Sequence, residues 1–73
     1  MPPLDPETAR WFANHVQPHE AILRAWLADR FGSRVTVDDI VQEAYVRVLR
    51  AHAEGELYAP KAFLFATARN LRA

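Results

Sequence analysis

The sequence predicts an all-α protein, a small bundle of four helices forming one domain over residues 1–73. Three observations carry that expectation. Apolar residues recur at three- and four-residue intervals, and no stretch shows the period of two that marks a half-buried strand. Glycine occurs only twice, at Gly32 and Gly55, so most of the chain is free of helix breakers. Hydrophobic residues make up 51% of the chain, too many for a disordered polymer, while cysteine is absent. Neither disulfides nor thiolate–metal bonds support the fold, and helix packing must do so.

The first helix is predicted over 6–16. Asp5 caps its free N–H groups, Pro6 suits the first helical position, and Glu7 complements the positive dipole end. Trp11, Phe12 and Val16 form its apolar stripe, with His15 among them. Pro18 cannot donate to the ladder, so a second helix is predicted over 18–31, carrying Ile22, Leu23, Trp26, Leu27 and Phe31. Gly32 stands where a C-cap glycine belongs. Residues 33–35 read as a connector and Thr36 as the cap of a third helix over 37–52, with Asp38 and Asp39 in its first turn. The stretch 53–59 around Gly55 reads as a loop, and Pro60 opens a fourth helix over 60–72. The predicted core includes Trp26, Val41, Val48, Phe63 and Leu64.

The third and fourth helices each divide into two faces. On the third, Val41, Ala44, Val48, Ala51 and His52 face inward, flanked by Ile40 and Tyr45. Asp39, Gln42, Glu43, Val46 and Arg50 lie opposite, with Leu49 at the margin. Asp39 and Glu43 are like charges at i, i+4, which costs a few tenths of a kcal/mol unless a cation such as Arg47 offsets it. An acidic patch with an apolar centre suits a protein partner, although a solvated face with an Arg47–Glu43 pair and a simply exposed Val46 is the plainer reading. On the fourth helix, Phe63, Leu64, Thr67 and Leu71 face inward with Ala68 beside them. Lys61, Phe65, Arg69 and Arg72 share the other side, and the helix carries no acid. Cations around an aromatic fit single-stranded nucleic acid, but Phe65 packed on a neighbouring helix above a solvated basic rim is the plainer alternative.

Charge and size narrow the function further. Residues 1–43 hold seven acids and four arginines, residues 44–73 two acids and five bases, so a net charge of zero hides halves of −3 and +3. Such a split suggests two partners of opposite preference. A chain this short cannot build a deep catalytic cleft, and no nucleophile or glycine-rich phosphate loop stands in a recognisable setting. An enzyme and a bound cofactor are therefore not expected. His15 and His19 have the spacing of a zinc helix, but Pro18 breaks the turn between them and no third ligand is evident. The N-terminus lacks the order of a signal peptide and no apolar run approaches the ~18 residues of a membrane span, so a soluble cytoplasmic domain is expected.

DDIVQEAYVRVLRA, Asp38 to Ala51, followed after a short loop by PKAFLFATARNL, Pro60 to Leu71, resembles region two of a bacterial RNA polymerase sigma factor. The pattern is similar to the extracytoplasmic-function group: an Asp-(Leu/Ile)-Val-Gln-Glu helix, then Pro-Arg-(Ala/Ser)-(Trp/Phe)-Leu and Ala-Arg-Asn-Leu. The preceding AWLADRF resembles the ferric-citrate, iron-starvation type. The resemblance implies that Asp39, Gln42 and Glu43, with Val46, Leu49 and Arg50 nearby, bind the clamp helices of the beta-prime subunit. It implies that the loop from His52 to Ala59, with Glu54, Glu56 and Tyr58, takes up a base flipped from the non-template strand of the minus-ten promoter element. It places Lys61, Phe65, Arg69, Asn70 and Arg72 along the same strand, and it implies control by an anti-sigma factor.

The chain departs from the pattern at Phe63, where tryptophan is commoner, and at Ala59, which replaces a polar cap. Ala66 and Thr67 stand for a basic and a large aliphatic residue. The chain reads as a domain or fragment, because the remainder of the promoter-reading helix and the domain that reads the minus-thirty-five element would lie beyond residue 73. A helical protein-interaction module without nucleic-acid binding is the alternative. A helix-turn-helix regulator is disfavoured, since no tight glycine-containing turn joins two short helices at the required spacing.

Overall fold

Helix starts and stops in this chain follow from a few side chains and from Pro6, Pro18 and Pro60. The computed structural model describes residues 5–71, which are helical with no strand. Helix α1 runs Pro6–His15, a single 3-10 turn Gln17–His19, α2 Glu20–Phe31, α3 Arg34–Ala53 and α4 Pro60–Leu71. The Asp5 side chain caps α1 by accepting from the Thr8 N–H at 3.2 Å. That bond stabilises the charged carboxylate and holds Asp5 below its ordinary pKa.

Pro18 ends the first helix one residue earlier than predicted. Its ring would clash with the carbonyl one turn back, so α1 stops at His15 and Val16 turns the chain. Pro18 then sits inside the 3-10 turn, and α2 begins at Glu20 rather than at residue 18. Gly32 closes α2 in the left-handed region at φ 68°, its N–H donating to Ala28 as a C-cap glycine should.

Helix α3 starts three residues before the predicted point. Ser33, not Thr36, is its cap, the Ser33 hydroxyl accepting from the Thr36 N–H at 3.3 Å. Both residues suit a cap, but Ser33 has the extended backbone a cap needs, whereas Thr36 is already helical. Asp38 and Asp39 consequently leave the first turn. At its other end α3 finishes in a Schellman motif: Glu56 N–H donates to Ala51, Gly55 N–H donates to His52, and Gly55 has φ 71°.

The packed core is made by α2, α3 and α4. Val37, Ile40, Val41, Ala44, Tyr45 and Val48 give α3 one buried face, against Leu23 and Leu27 of α2 and Leu64 and Ala68 of α4. Val16 joins this core from the turn, but α1 itself contributes no buried residue. The molecule is a three-helix unit with an accessory helix, instead of the four-helix bundle that the periodicity predicts.

Two aromatic contacts hold α1. Trp11 stacks on His52 with centroids 3.7 Å apart and planes 13° from parallel. Phe12 meets Tyr45 edge-on at 4.9 Å. Trp26 and Phe63, expected in the core, are half-buried and pack against its edge, and Ile22 of the predicted α2 stripe is 61% exposed. The inner stripe of α2 narrows to Leu23 and Leu27, so Ile22, one residue before that stripe, is turned outward.

A polar network bridges α2 and α3 beside the core. Glu20 accepts from the Tyr45 hydroxyl at 2.5 Å and from Arg24 Nε at 3.0 Å. Arg24 also donates to the Asp38 carboxylate. The Tyr45 bond, and then Arg24, hold Glu20 below its ordinary pKa of 4.5. Burial, reinforced by Glu20, raises Tyr45 well above its ordinary 10.0.

The signs of these shifts set a pH window. The Glu20 contribution is complete above pH 4.5 and is lost as pH falls through its lowered folded value. The Tyr45 contribution is complete below pH 10.0 and is lost as pH rises toward its raised one. Thermal melts should therefore give a plateau between these limits, with Tyr45→Phe lowering it by about 1 kcal/mol, as befits a partly exposed charge-assisted bond. Tyr45→Phe should also remove much of the alkaline limb; an unchanged limb would place its origin elsewhere. Because α1 is held by ring contacts worth about 0.5–1.5 kcal/mol each, Trp11→Ala should raise hydrogen exchange across 6–15 while α3 stays protected. Equal loss of protection in both helices would make α1 part of the cooperative core.

Candidate nucleic-acid and partner-binding surfaces

The inward face of α3 determines what its outward face presents. Asp39, Gln42, Glu43 and Arg50 are exposed, and Val46 and Leu49 are half-buried. The result is a strip of acceptors and charge beside two aliphatic side chains. Arg47 Nε lies 3.4 Å from Glu43 Oε1. The Glu43 charge is therefore partly compensated, as the simpler sequence reading allowed. Both side chains are 51% exposed, and such a pair contributes only about 0.3–0.5 kcal/mol. Asp39 takes part in no ion pair among the described residues.

The loop after α3 is anchored at both ends. The Schellman motif ties its start to the helix, and Leu57 packs against the core. Glu54 and Glu56 are exposed, and Tyr58 is 93% exposed with its ring in solvent. His52, by contrast, is half-buried and its ring face is covered by Trp11. It shares the loop's starting point without sharing its exposure.

On α4, Lys61, Arg69 and Asn70 are exposed and Phe65 is half-buried. Arg72 lies outside the described residues. Phe65 does pack on a neighbouring helix: its ring lies 6.3 Å from that of Trp26 on α2, tilted by 50°. Its other surroundings are open, because Ala59, Pro60, Lys61, Ala62 and Phe65 line a shallow apolar depression at the start of α4. Depression, exposed Tyr58 and Lys61 therefore occur together where loop meets helix, while Arg69 lies in the last turn of α4.

Three arrangements were not read from the sequence. The Glu20–Arg24–Asp38–Tyr45 network had one local signal, the i, i+4 order of Glu20 and Arg24. Leu57 was a lone apolar residue in a polar loop. The Trp11–His52 and Trp26–Phe65 contacts depend on how helices are rotated against each other, and no local pattern reports that. None of these arrangements forms a group of metal-binding side chains among the described residues. No described helix is long and apolar enough to cross a membrane.

Comparison with known proteins gives a family match. The family Sigma-70 region 2 matches residues 15–72, which includes α2, α3, the loop and α4 and leaves almost all of α1 outside. No curated protein and no solved structure gives a significant match. On that coverage the chain belongs to the Sigma-70 region 2 family, the sigma-factor module that binds RNA polymerase and takes part in opening promoters.

Proposed function

We propose that this domain joins core RNA polymerase to the minus-ten promoter element, with α3 serving the polymerase and the loop with α4 serving DNA. The observation that carries the reading is the division of α3. One face is consumed by the core, and the other leaves Asp39, Gln42 and Glu43 exposed beside Val46 and Leu49. These residues occupy the motif positions that meet the beta-prime clamp helices in sigma factors. The carboxylates and the Gln42 amide would supply acceptors to a basic partner helix, and the aliphatic pair would supply area that excludes water. Arg50 would extend the contact at the end nearer the loop.

The DNA half of the proposal rests on the junction of loop and α4. Taking a base out of its stack costs a few kcal/mol, which a pocket must offset. Tyr58 offers a free ring for stacking, and the apolar depression over Ala59, Pro60, Ala62 and Phe65 offers a floor. Glu54 and Glu56 would accept from base amino groups, while Lys61, Arg69, Asn70 and Arg72 would follow the backbone. His52 enters this scheme through position: stacked under Trp11, it would hold the loop's first turn rather than read a base.

The extracytoplasmic-function type, and within it the iron-starvation group, is supported by the DDIVQEAY, PKAFLFATARNL and AWLADRF segments. Such a factor works in the cytoplasm beside polymerase and is held in check by an anti-sigma factor. The acidic strip of α3 is tested by a pull-down on the beta-prime clamp-helix fragment. Glu43→Lys should lower retention about tenfold or more, because reversal places like charges together. The same change should cost less than about 0.5 kcal/mol of stability, the worth of an exposed pair. Equal retention of both forms would remove Glu43 from the interface.

A further inference from the structure

The seam between α2 and α4 brings Trp26 and Arg30, to which the resemblance assigns no contact, beside Phe65. Trp26 of α2 touches Phe65 of α4, and one turn along α2 the Arg30 guanidinium lies 5.0 Å from the centroid of the Trp26 ring. Arg30 is exposed and forms no ion pair among the described residues. A cation–aromatic pair at i, i+4 is by itself an ordinary helix contact. Its surroundings are less ordinary. Phe65 also lines the apolar depression together with Lys61, Arg69 stands one turn further along α4, and α4 has no acid. Cations from two helices thus flank one aromatic seam. That arrangement complements a flexible polyanion carrying flat apolar groups, which is the chemistry of a single nucleic-acid strand.

We propose that the single-strand path on α4 continues across the Trp26–Phe65 seam onto α2, where Arg30 takes a backbone phosphate. The inference rests on the reading of α4 as a DNA surface. Stacking on Trp26 restrains the planar guanidinium, so less rotamer freedom is lost when its N–H fork meets phosphate oxygens. Trp26 acts as a positioning residue for Arg30 and, through its edge beside Phe65, widens the ring surface available to a neighbouring base. Trp26 is half-buried, packing on the core by one side and leaving the rest of its ring accessible, as such a role needs. An acidic protein segment would meet the same cations but would gain nothing sequence-independent from the rings, so the strand is the better fit.

The test is the salt dependence of binding between the 73-residue chain and a fluorescent oligothymidylate, compared for the unsubstituted chain, Arg30→Gln, Arg30→Lys, Arg69→Gln and Arg10→Gln. Each lost phosphate contact to a single strand should flatten the log–log slope by about 0.7. Arg30→Gln and Arg69→Gln should each show that loss and be additive, Arg30→Lys should keep the slope with weaker binding, and Arg10→Gln on α1 should change neither. A flattened slope for Arg69→Gln with an unchanged one for Arg30→Gln would overturn the extension onto α2 and leave α4 in place. No binding by the unsubstituted chain, or no change with either variant, would overturn both. Equal flattening by Arg10→Gln would mark a general charge effect and overturn the Arg30 contact.

Discussion

Burial of one face of α3 is the constraint on which the other features depend. Val37, Ile40, Val41, Ala44, Tyr45 and Val48 are withdrawn from solvent together, and both α2 and α4 pack onto the surface they form. Most of these side chains are β-branched, so they present few rotamers and act as fixed shapes for Leu23, Leu27 and Leu64 to fit against. In a domain this small, each such leucine is worth about 1.5–3 kcal/mol of burial, and few are available. Once that face is committed, rotation along the helix leaves Asp39, Gln42 and Glu43 outside. The outward strip is thus a geometric consequence of the core, and its side chains are free to serve a partner without a stability conflict.

The polar network beside the core does a different job. Apolar stripes tolerate sliding of one helix along another, whereas Glu20, Arg24, Asp38 and Tyr45 meet in only one register. The network leaves no buried side-chain donor or acceptor unpartnered among the described residues. It also shows how a cap affects tertiary structure. Because Ser33 starts α3, Asp38 lies in the second turn, where its partner is Arg24 instead of the free N–H groups of the helix end. Helix α1 stands outside this arrangement. Two ring contacts secure it, and one of them covers His52 at the point where the loop leaves α3.

Much of the fold was legible because single residues decide it locally. Asp5, Gly32 and Pro60 each mark a helix boundary by their own chemistry, and Val41, Val48 and Leu64 follow from period alone. The failures occur where two local signals compete or where neighbours choose the rotation. Ser33 and Thr36 are both acceptable caps, and backbone context selects Ser33. Ile22 and Leu23 are both aliphatic and adjacent, and only the position of α3 decides which points inward. The same limit applies to the candidate surfaces. The strip on α3 was readable from spacing, since exposure there is the complement of burial. The partial burial of Phe65 against Trp26 and the cover over His52 needed the packing of helices remote in sequence.

The separation of the two faces of α3 can be tested most directly by methyl NMR of the valine- and leucine-labelled chain titrated with the beta-prime clamp-helix fragment. Val46 and Leu49 methyl signals should shift or broaden as the fragment binds, while Val41 and Val48, both 0% exposed, should stay in place. Shifts at Val41 and Val48 as large as those at Val46 and Leu49 would contradict the division, because binding would then have to open the core. Unchanged Val46 and Leu49 signals at saturation would contradict it in the other direction, by taking the partner off this face of the helix.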